Sequence, residues 1–562
     1  MKFTTPLLLL LVLHCGGSVH AQEIGGGWTT SYDFYGAPDD RLGSAIAIAG
    51  DVNSDGYDDI IIGSENASSP GAIRGGTATI YSGRSGAALH HFVGPGNIAQ
   101  FGHSVCGLGD VDGDGVDDVA ISAYRAAHNF PQAGAVFVYS GASGAQIFRF
   151  DGSAAFLSLG ARVSAIGDLD NDGHQDIMAS SETGTSGTGT IYVWSGANGT
   201  LLLTIDGPQV GAHFGQALAA AGDVNGDGIV DILVGAPSAA SLNLVENGAA
   251  AVYSGASGTA LYTFRGHLSR QHLGAAVAGV GDLDGDGCAD FFIGSPGLGP
   301  VRDLSFGGAT LYSGRLGHTL FHLDGAIANN QLGSGVASIG DFDGDGIPDV
   351  AVGSQGCSPM GAMQAGTIAI HSGAHGKLLY TFSGETPFDH LGNSFAGGDV
   401  NHDGRADLVF ASADANPGGQ MNAGTAYVRG GFDPYLTSSQ AQLSASAGGT
   451  LQFDINFPSS AAQQFFVLLA SDQDAPSIFD GVAVPLDSST LIWNQMLHAP
   501  PLNFSNPSGW LDSNGDATCL FTAPPQALNY FSGSTLRFAV LCKDHFNSSR
   551  YCSSAVTLQV VP

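Results

Sequence analysis

The stretch that decides the fold is Gly50-Asp51-Val52-Asn53-Ser54-Asp55-Gly56-Tyr57-Asp58-Asp59, an acidic segment with glycine at its sixth position, counted from Asp51. The pattern Gly-Asp-x-Asp/Asn-x-Asp-Gly-x-x-Asp occurs seven times, and successive first aspartates are 59, 58, 55, 59, 59 and 58 residues apart. Self-similarity at a nearly constant period predicts an array of stacked supersecondary units. The first aspartates are Asp51, Asp110, Asp168, Asp223, Asp282, Asp341 and Asp399.

Apolar runs flank each acidic segment. In the first copy, small residues precede it at 44–49 and the β-branched run 60–62 follows it. In the second copy, residues 135–141 and 146–150 are two further apolar runs joined by a Ser-Gly turn. Short runs of this kind between turn residues predict β-strands. Each unit is therefore expected to be a four-stranded antiparallel sheet, with the acidic segment between its first two strands.

A Phe-Gly or Leu-Gly pair stands before the first strand of each unit. Its glycine precedes the first aspartate by eight residues in six copies and by seven in the last, which is slightly irregular. These glycines are Gly43, Gly102, Gly160, Gly215, Gly274, Gly333 and Gly392.

Seven such units without helical periodicity predict an all-β fold, a seven-bladed β-propeller over residues 22–432. The seventh unit ends at Gly430 with three strands, whereas residues 31–36 form an extra strand-like run before the first unit. We expect this N-terminal strand to complete the last blade, because closure removes the unpaired edges of an open sheet.

The acidic segments have the composition of a calcium-binding loop. Aspartate at positions 1, 5 and 9, aspartate or asparagine at 3 and glycine at 6 supply oxygen ligands and a tight turn, which suits Ca²⁺. An EF-hand is excluded, because it needs glutamate at position 12, where Ile62 and its counterparts are apolar. Mg²⁺ fits less well, since the loop leaves few waters. The alternative is a solvated acidic turn, which does not require four fixed spacings.

We predict up to seven Ca²⁺ ions, one in each blade. The expected side-chain ligands are Asp51, Asn53, Asp55 and Asp59; Asp110, Asp112, Asp114 and Asp118; Asp168, Asp170, Asp172 and Asp176; Asp223, Asn225, Asp227 and Asp231; Asp282, Asp284, Asp286 and Asp290; Asp341, Asp343, Asp345 and Asp349; and Asp399, Asn401, Asp403 and Asp407.

The repeat resembles the FG-GAP repeat of the integrin α-subunit propeller. Phe101-Gly102 and Phe214-Gly215 match the first signature of that family, and Gly235-Ala236-Pro237 matches the second. The resemblance covers residues 28–432 and implies an extracellular propeller. Leucine often replaces the phenylalanine, and Gly-Ala-Pro is degraded in most copies, so the fold carries over more safely than any partner.

The N-terminal residues predict export. Lys2, the apolar run 7–13 and Val19-His20-Ala21 indicate a secretory signal peptide over residues 1–21. No later apolar segment approaches the ~20 residues of a membrane-spanning helix, so no transmembrane segment is expected. The formal charge of −33, from 50 acidic and 17 basic residues, argues against nucleic acid and anionic membranes as partners. Cys106 and Cys288 are interpreted as small buried residues.

The repeat stops before a C-terminal segment, residues 433–562. Apolar runs such as 451–455 and 536–540 alternate there with clusters of Pro, Asn and Ser, which predicts a small β-sandwich-like domain. The segment resembles C-terminal modules of large secreted bacterial proteins, and this resemblance implies no activity.

The pattern as a whole favours a secreted or cell-surface recognition and adhesion module for a protein or carbohydrate ligand, with calcium in a structural role. No Gly-x-Ser-x-Gly or His-Glu-x-x-His motif occurs, so no catalytic residue is predicted. Two alternatives stay open: an extracellular hydrolase or lyase, because paired carboxylates have no local signature, and a structural wall or matrix component. His213, His272 and His390 recur before Phe-Gly or Leu-Gly and are interpreted as loop residues.

Strand direction predicts where a ligand binds. The acidic loops and the Ser-Gly turns must share one face, and the longer, variable connections between second and third strands share the other. Variable loops on a rigid scaffold are the usual place of recognition, so we expect binding on that second face. The residues singled out there are Arg74, Tyr124, Arg125 and Arg302.

Overall fold

The computed structural model describes the backbone of residues 24–434, apart from 185, 242, 298–305, 326 and 343–345, and of twelve strands beyond residue 434. Side chains are described for residues 32–429 outside these gaps and residue 360. In this part of the chain the regular structure is β-sheet, with two single-turn 3₁₀ segments at Pro359–Gly361 and Pro417–Gly419. The all-β prediction is confirmed.

Twenty-eight strands form the repeat region. In chain order they are β1 (Ile24–Tyr35), β2 (Leu42–Gly50), β3 (Asp59–Ser64), β4 (Thr77–Tyr81), β5 (Ala88–Val93), β6 (Phe101–Gly109), β7 (Asp118–Ala123), β8 (Ala135–Tyr139), β9 (Gln146–Asp151), β10 (Val163–Gly167), β11 (Asp176–Ser181), β12 (Thr190–Trp194), β13 (Leu201–Asp206), β14 (Ala217–Gly222), β15 (Asp231–Ala236), β16 (Ala249–Tyr253), β17 (Ala260–Arg265), β18 (Ala276–Gly281), β19 (Asp290–Ser295), β20 (Gly308–Tyr312), β21 (Thr319–Asp324), β22 (Leu332–Gly340), β23 (Asp349–Ser354), β24 (Thr367–His371), β25 (Leu378–Ser383), β26 (Ser394–Gly398), β27 (Asp407–Ser412) and β28 (Thr425–Pro434).

These strands are arranged as seven blades. Blades 1 to 6 are the consecutive antiparallel sheets β2–β5, β6–β9, β10–β13, β14–β17, β18–β21 and β22–β25. Blade 7 consists of β26, β27, β28 and β1. The first strands of neighbouring blades contact one another all the way round, including β26 with β2, so they form a closed ring about a central axis. The prediction of a seven-bladed propeller is confirmed.

The N-terminal strand closes the ring. β1 pairs antiparallel with β28 from Gly26 opposite Pro434 to Tyr35 opposite Thr425. The Phe34 ring lies 4.3 Å from the Tyr81 ring of blade 1, and the Tyr32 hydroxyl donates to the carbonyl of Arg84 at 2.7 Å. The predicted closure is therefore confirmed, and the strand is longer than the run 31–36 that indicated it.

Burial follows the position of a strand within its blade. All six residues of each second strand, such as Asp59–Ser64 and Asp231–Ala236, are buried, because neighbouring blades cover both faces. The β-branched runs of the sequence form these strands. The fourth strands carry exposed residues at their first, fourth and sixth positions and form the rim. The hydrophobic core is consequently a series of layers between adjacent blades.

A β-bulge explains the irregular seventh copy. In blades 1 to 6 the pairing of the first and second strands shifts by one residue immediately before the acidic loop. The glycine at this point has a positive φ, 80° at Gly50 and 86° at Gly167, a conformation that an L side chain rarely adopts. Blade 7 has one residue fewer between Gly392 and Asp399, and its pairing runs through Gly398 without a shift. The extra residue in the other copies is the bulge.

The C-terminal region adds twelve strands. They are β29 (Leu436–Ser438), β30 (Gln442–Ser444), β31 (Gly449–Asn456), β32 (Gln464–Ala470), β33 (Ser477–Phe479), β34 (Val482–Val484), β35 (Asn503–Ser505), β36 (Ser508–Trp510), β37 (Asp516–Ala523), β38 (Thr535–Lys543), β39 (Ser549–Ser553) and β40 (Val556–Val561). The predicted sandwich and its boundary at residue 433 stay predictions. No helix among the described residues is long and apolar enough to span a membrane.

Candidate functional site

The acidic loops join the first and second strands of each blade along one edge of the propeller, called here the acidic edge. Glycine at position 6 of each loop has a φ between 82° and 94°, from Gly404 to Gly173, so the chain reverses in a way that glycine permits without strain. The first aspartate caps this turn. In blade 2, one oxygen of Asp110 accepts the N–H groups of Gly113 and Asp114, and the other accepts that of Gly115.

In blades 1 to 6 the ninth-position aspartate ties the acidic loop to the hairpin turn beside it. Its carboxylate is 0–1% exposed in all seven blades. In blade 2, Oδ2 of Asp118 accepts the N–H of Val111 at 2.8 Å and Oδ1 accepts that of Gly141 at 3.0 Å. The pair formed by this aspartate and the Ser-Gly glycine recurs at 2.9–3.0 Å in Asp59–Gly83, Asp118–Gly141, Asp176–Gly196, Asp231–Gly255, Asp290–Gly314 and Asp349–Gly373. The acidic loops and Ser-Gly turns therefore share one edge, as predicted.

Burial makes these carboxylates costly to ionise. It raises the pKa of Asp59 to about 7 and those of Asp118, Asp176 and Asp231 to about 6, although backbone N–H donors oppose the rise. The neighbouring loop aspartates add to it, as Asp55 and Asp51 do for Asp59. A cation beside these groups would relieve both effects.

The third-position side chain meets the ninth. In blades 2, 3 and 5, carboxylate oxygens from positions 1, 3 and 9 lie within 4.8 Å of one another and can hold a metal ion; the groups are Asp110, Asp112 and Asp118; Asp168, Asp170 and Asp176; and Asp282, Asp284 and Asp290. Where position 3 is asparagine, its amide donates to the ninth aspartate instead, in the pairs Asn53–Asp59, Asn225–Asp231 and Asn401–Asp407. Asp343 and Asp345 of blade 6 lie outside the described residues.

The fifth-position carboxylate faces the loop backbone and solvent. Oδ1 of Asp114 accepts the N–H of Val116 at 2.9 Å, and the same bond recurs in the other loops whose fifth residue is described, for example from Ile229 to Asp227. In blade 3 the other oxygen of Asp172 accepts the Ser195 hydroxyl of the Ser-Gly turn at 3.0 Å. Position 5 thus lies beside the three groups that could hold a metal ion but is not a member of them.

Contacts between neighbouring loops were missed by the sequence analysis. The eighth-position Asp117 of blade 2 accepts the N–H of Asp51 in blade 1 at 2.8 Å. In two other blade pairs the eighth residue donates its N–H to the first residue of the preceding loop, from Ala289 to Asp223 and from Ala406 to Asp341. The only signal in the sequence was the doubled aspartate at 117–118 and 58–59.

The opposite edge carries a charged network. Arg41 lies 3.5 Å from Glu65 and 3.1 Å from Asp414, measured from guanidinium nitrogen to carboxylate oxygen. Nδ1 of His103 lies 2.7 Å from Glu65, and Nδ1 of His390 lies 3.0 Å from Asp414. Burial alone would raise the pKa of Glu65, but His103 and Arg41 outweigh it and lower that pKa.

The structure describes three of the four residues proposed for recognition, Arg74, Tyr124 and Arg125. The Tyr124 ring lies against the His103 ring, tilted by 31° with centroids 4.2 Å apart, and the Arg125 guanidinium lies 5.3 Å from the Tyr124 ring centre. Arg74 is exposed with a φ of 49°, and Arg302 lies outside the described residues. Glu65 and Tyr124 each follow the second strand, where the FG-GAP signature has proline. In these two blades the proline of the Gly-Ala-Pro signature is thus replaced by a residue with a polar side chain.

The described cysteines are unpaired. Cys288 is buried and Cys106 is half-buried, as expected of small interior residues, and Cys357 is also a free thiol. Burial raises the pKa of Cys106 to about 12.

Comparisons with known proteins agree with this geometry. A model described as an FG-GAP repeat matches residues 42–81, 101–139 and 332–370, and one described as an FG-GAP-like repeat matches residues 168–234. Similar proteins include integrin alpha-4 of Xenopus laevis, 32% identical over 30% of this chain and 17% of that protein. Integrin alpha-V of Gallus gallus is 29% identical over 35% of this chain and 20% of its own length. Integrin alpha-3 of Cricetulus griseus is 34% identical over 27% and 15%, respectively.

The matches span a fifth or less of the length of these relatives. The family-model matches fall on the repeats, where the structure has four-stranded blades with an acidic loop after the first strand. The chain therefore carries FG-GAP repeats and forms an integrin alpha-like β-propeller.

Proposed function

We propose that this protein is a secreted recognition and adhesion module in which Ca²⁺ bound to the acidic loops of all seven blades holds the propeller rigid. The observation that carries the proposal is the meeting of carboxylates from positions 1, 3 and 9 within 4.8 Å, next to a buried aspartate that also holds the neighbouring turn. A cation there stabilises the loop and the turn together.

The donor set supports Ca²⁺ as the ion. The side chains are carboxylates and amides, hard oxygen ligands, and the loop offers more of them than a Mg²⁺ ion with its retained waters uses. The raised pKa values of Asp59, Asp118 and their counterparts reflect buried negative charge that a divalent ion would neutralise. Positions 1, 3, 5 and 9 of every loop are the proposed ligands.

The recognition role rests on relatives and on architecture. Integrin alpha chains are extracellular adhesion proteins, and they are not enzymes. A closed ring of seven blades is a stiff scaffold, and ligands generally bind to the loops that such a scaffold presents. The acidic edge is filled with short repeated loops, so the opposite edge is the proposed binding surface for an extracellular protein or carbohydrate.

The calcium part is tested by melting the protein in Ca²⁺, in EGTA, and in EGTA with Mg²⁺ added. Ligand that binds only the native state stabilises it by about 2.7 kcal/mol per site at a hundredfold excess over Kd. We expect EGTA to lower the melting temperature, and Ca²⁺ but not Mg²⁺ to restore it. Asp227→Asn should reduce the bound calcium measured by elemental analysis, whereas Asp324→Asn, on an exposed fourth strand, should not. Equal melting in all three buffers would refute the role.

The recognition part is tested on an array of glycans and matrix proteins probed with calcium-loaded protein. For any ligand found, Arg125→Glu on the opposite edge should weaken binding. The matched change Arg84→Glu, in the Ser-Gly turn of blade 1, should leave it intact. Loss of binding from Arg84→Glu alone would put the surface on the acidic edge and contradict the proposal.

A further inference from the structure

A cavity of about 750 Å³ opens at the axis on the edge opposite the acidic loops. All seven blades contribute to its wall, through the starts of their first strands and the connections beside them. Its size is that of a pocket for a small molecule, and it is too narrow for a folded protein.

Seven equivalent residues ring this cavity, each two positions after the glycine of the Phe-Gly or Leu-Gly pair. In six blades the residue is alanine, serine or glycine, as expected where first strands crowd around an axis. In blade 3 it is arginine. The ring is Ala45, Ser104, Arg162, Ala217, Ala276, Gly335 and Ser394, and each of these residues lines the cavity.

The Arg162 guanidinium has no ionic partner in the described part of the chain. Its NH1 donates to the carbonyl of Ala161 at 2.8 Å, and no carboxylate of the described residues lies within 4.0 Å of its nitrogens. Burial lowers its pKa, which the charges of Glu182 and Glu65 only partly offset. A half-buried guanidinium with free donors gains from an anionic partner.

The carboxylates at the cavity already have donors of their own. Glu65 is held by Arg41 and His103, and Asp414 by Arg41 and His390. Asp389 accepts the N–H and the hydroxyl of Thr386. These groups therefore do not compete for Arg162.

We propose that the axial cavity binds a sugar acid, with the ligand carboxylate paired to the Arg162 guanidinium. One guanidinium matches one planar carboxylate through two parallel hydrogen bonds. Besides Arg162 the wall contains Arg41 and four histidines, and three carboxylates, Glu65, Asp389 and Asp414, oppose their charge. This balance, in a protein whose net charge is −33, suits a singly charged carboxylate better than a phosphate dianion. Hydroxyl and amide groups of Gln216, Ser238, Gln355 and Asn393 line the rest of the cavity and suit the hydroxyl groups of a sugar.

This inference rests on the proposed recognition function and names a ligand class for its binding edge. The two fail separately, however. Calcium-dependent stability together with an array ligand, but no binding of a sugar acid, would overturn this inference and leave the proposed function standing.

The test is titration calorimetry of the calcium-loaded full chain with glucuronate, glucose and N-acetylglutamate. We expect glucuronate to bind, with neither of the other two binding as tightly. Arg162→Ser, which installs the residue that blade 2 has at this position, should weaken glucuronate binding at least tenfold, since a hydrogen-bonded charge pair is lost. Arg270→Ser, the same change on an exposed residue of this edge outside the cavity wall, should leave binding unchanged.

Three results would overturn the proposal: no heat from glucuronate at ~10 mM, well above a millimolar Kd; equal affinity for glucose or for N-acetylglutamate; or unchanged affinity in Arg162→Ser. A melting curve must show that Arg162→Ser is folded. If it is not, Arg162→Gln replaces it, and the comparison of glucuronate with glucose on the unaltered protein still decides the matter.

Discussion

Replacing the ninth-position aspartate should destabilise the protein even without calcium. Asp118 is 0% exposed and accepts three backbone N–H groups, from Val111 at 2.8 Å, Asp112 at 3.2 Å and Gly141 at 3.0 Å. These bonds hold the loop and the Ser-Gly turn in place by themselves. A role as a metal ligand would come in addition to this one.

The magnitude follows from the number of donors left without a partner. A buried donor that loses its partner costs about 1–3 kcal/mol, so three donors would cost at most ~9 kcal/mol. Burial of the carboxylate offsets part of this, as the pKa raised to about 6 indicates. We therefore expect Asp118→Ala to lower the free energy of unfolding in EGTA by about 3 kcal/mol. Asp118→Asn keeps the shape but turns an NH₂ group toward a donor, so it should also destabilise.

The assay is urea unfolding in EGTA and again in Ca²⁺, with Asp114→Asn as the matched control. Asp114 is exposed in the same loop and accepts one bond, from Val116. In EGTA its substitution should change the free energy of unfolding by less than about 0.5 kcal/mol, whereas in Ca²⁺ it should reduce the stabilisation by the ion. Equal losses from Asp118→Ala and Asp114→Asn in EGTA would refute the structural role of position 9.

Three further outcomes are expected. Deleting residues 22–36 should raise the molar mass measured by light scattering, because β28 loses its partner along the nine residue pairs of its register; an unchanged molar mass with the same melting curve would contradict closure by β1. Glu65→Gln should lower the free energy of unfolding, measured in urea at pH 7, by about 1–2 kcal/mol. This loss should fade as the pH falls through the lowered pKa of Glu65, because the unaltered protein then loses the stability that His103 and Arg41 give to the charged carboxylate. A loss independent of pH would argue against the ion pairs. Cys106, with a pKa raised to about 12, should stay unlabelled by iodoacetamide at pH 8 on mass spectrometry until urea is added; rapid labelling of the native protein would show an accessible thiolate.

Part of this structure could be predicted because its signals are local. The acidic loop lies within ten residues, its glycine permits one turn, and the runs on either side have strand composition, so seven copies predicted seven blades. Even the single residue missing between Gly392 and Asp399 has a local structural consequence, because blade 7 lacks the β-bulge of the other blades. Closure of the ring was predicted in the same way. The last copy lacks a fourth strand, and an extra strand precedes the first copy.

Only the tertiary structure decided which distant groups meet. The bond from Gly141 to Asp118 joins residues 23 apart, and Arg41 reaches Asp414 only because the ring closes and places blade 7 beside blade 1. Nothing in the sequence around Arg162 distinguishes it from other residues near the start of a first strand. It lines the axial cavity as a cation because the other six blades have small residues at the equivalent position. The repeated sequence is enough to specify the fold of each blade, because the contacts within a blade are local. The chemistry of the axial cavity depends on residues from all seven blades, which only the closed ring brings together.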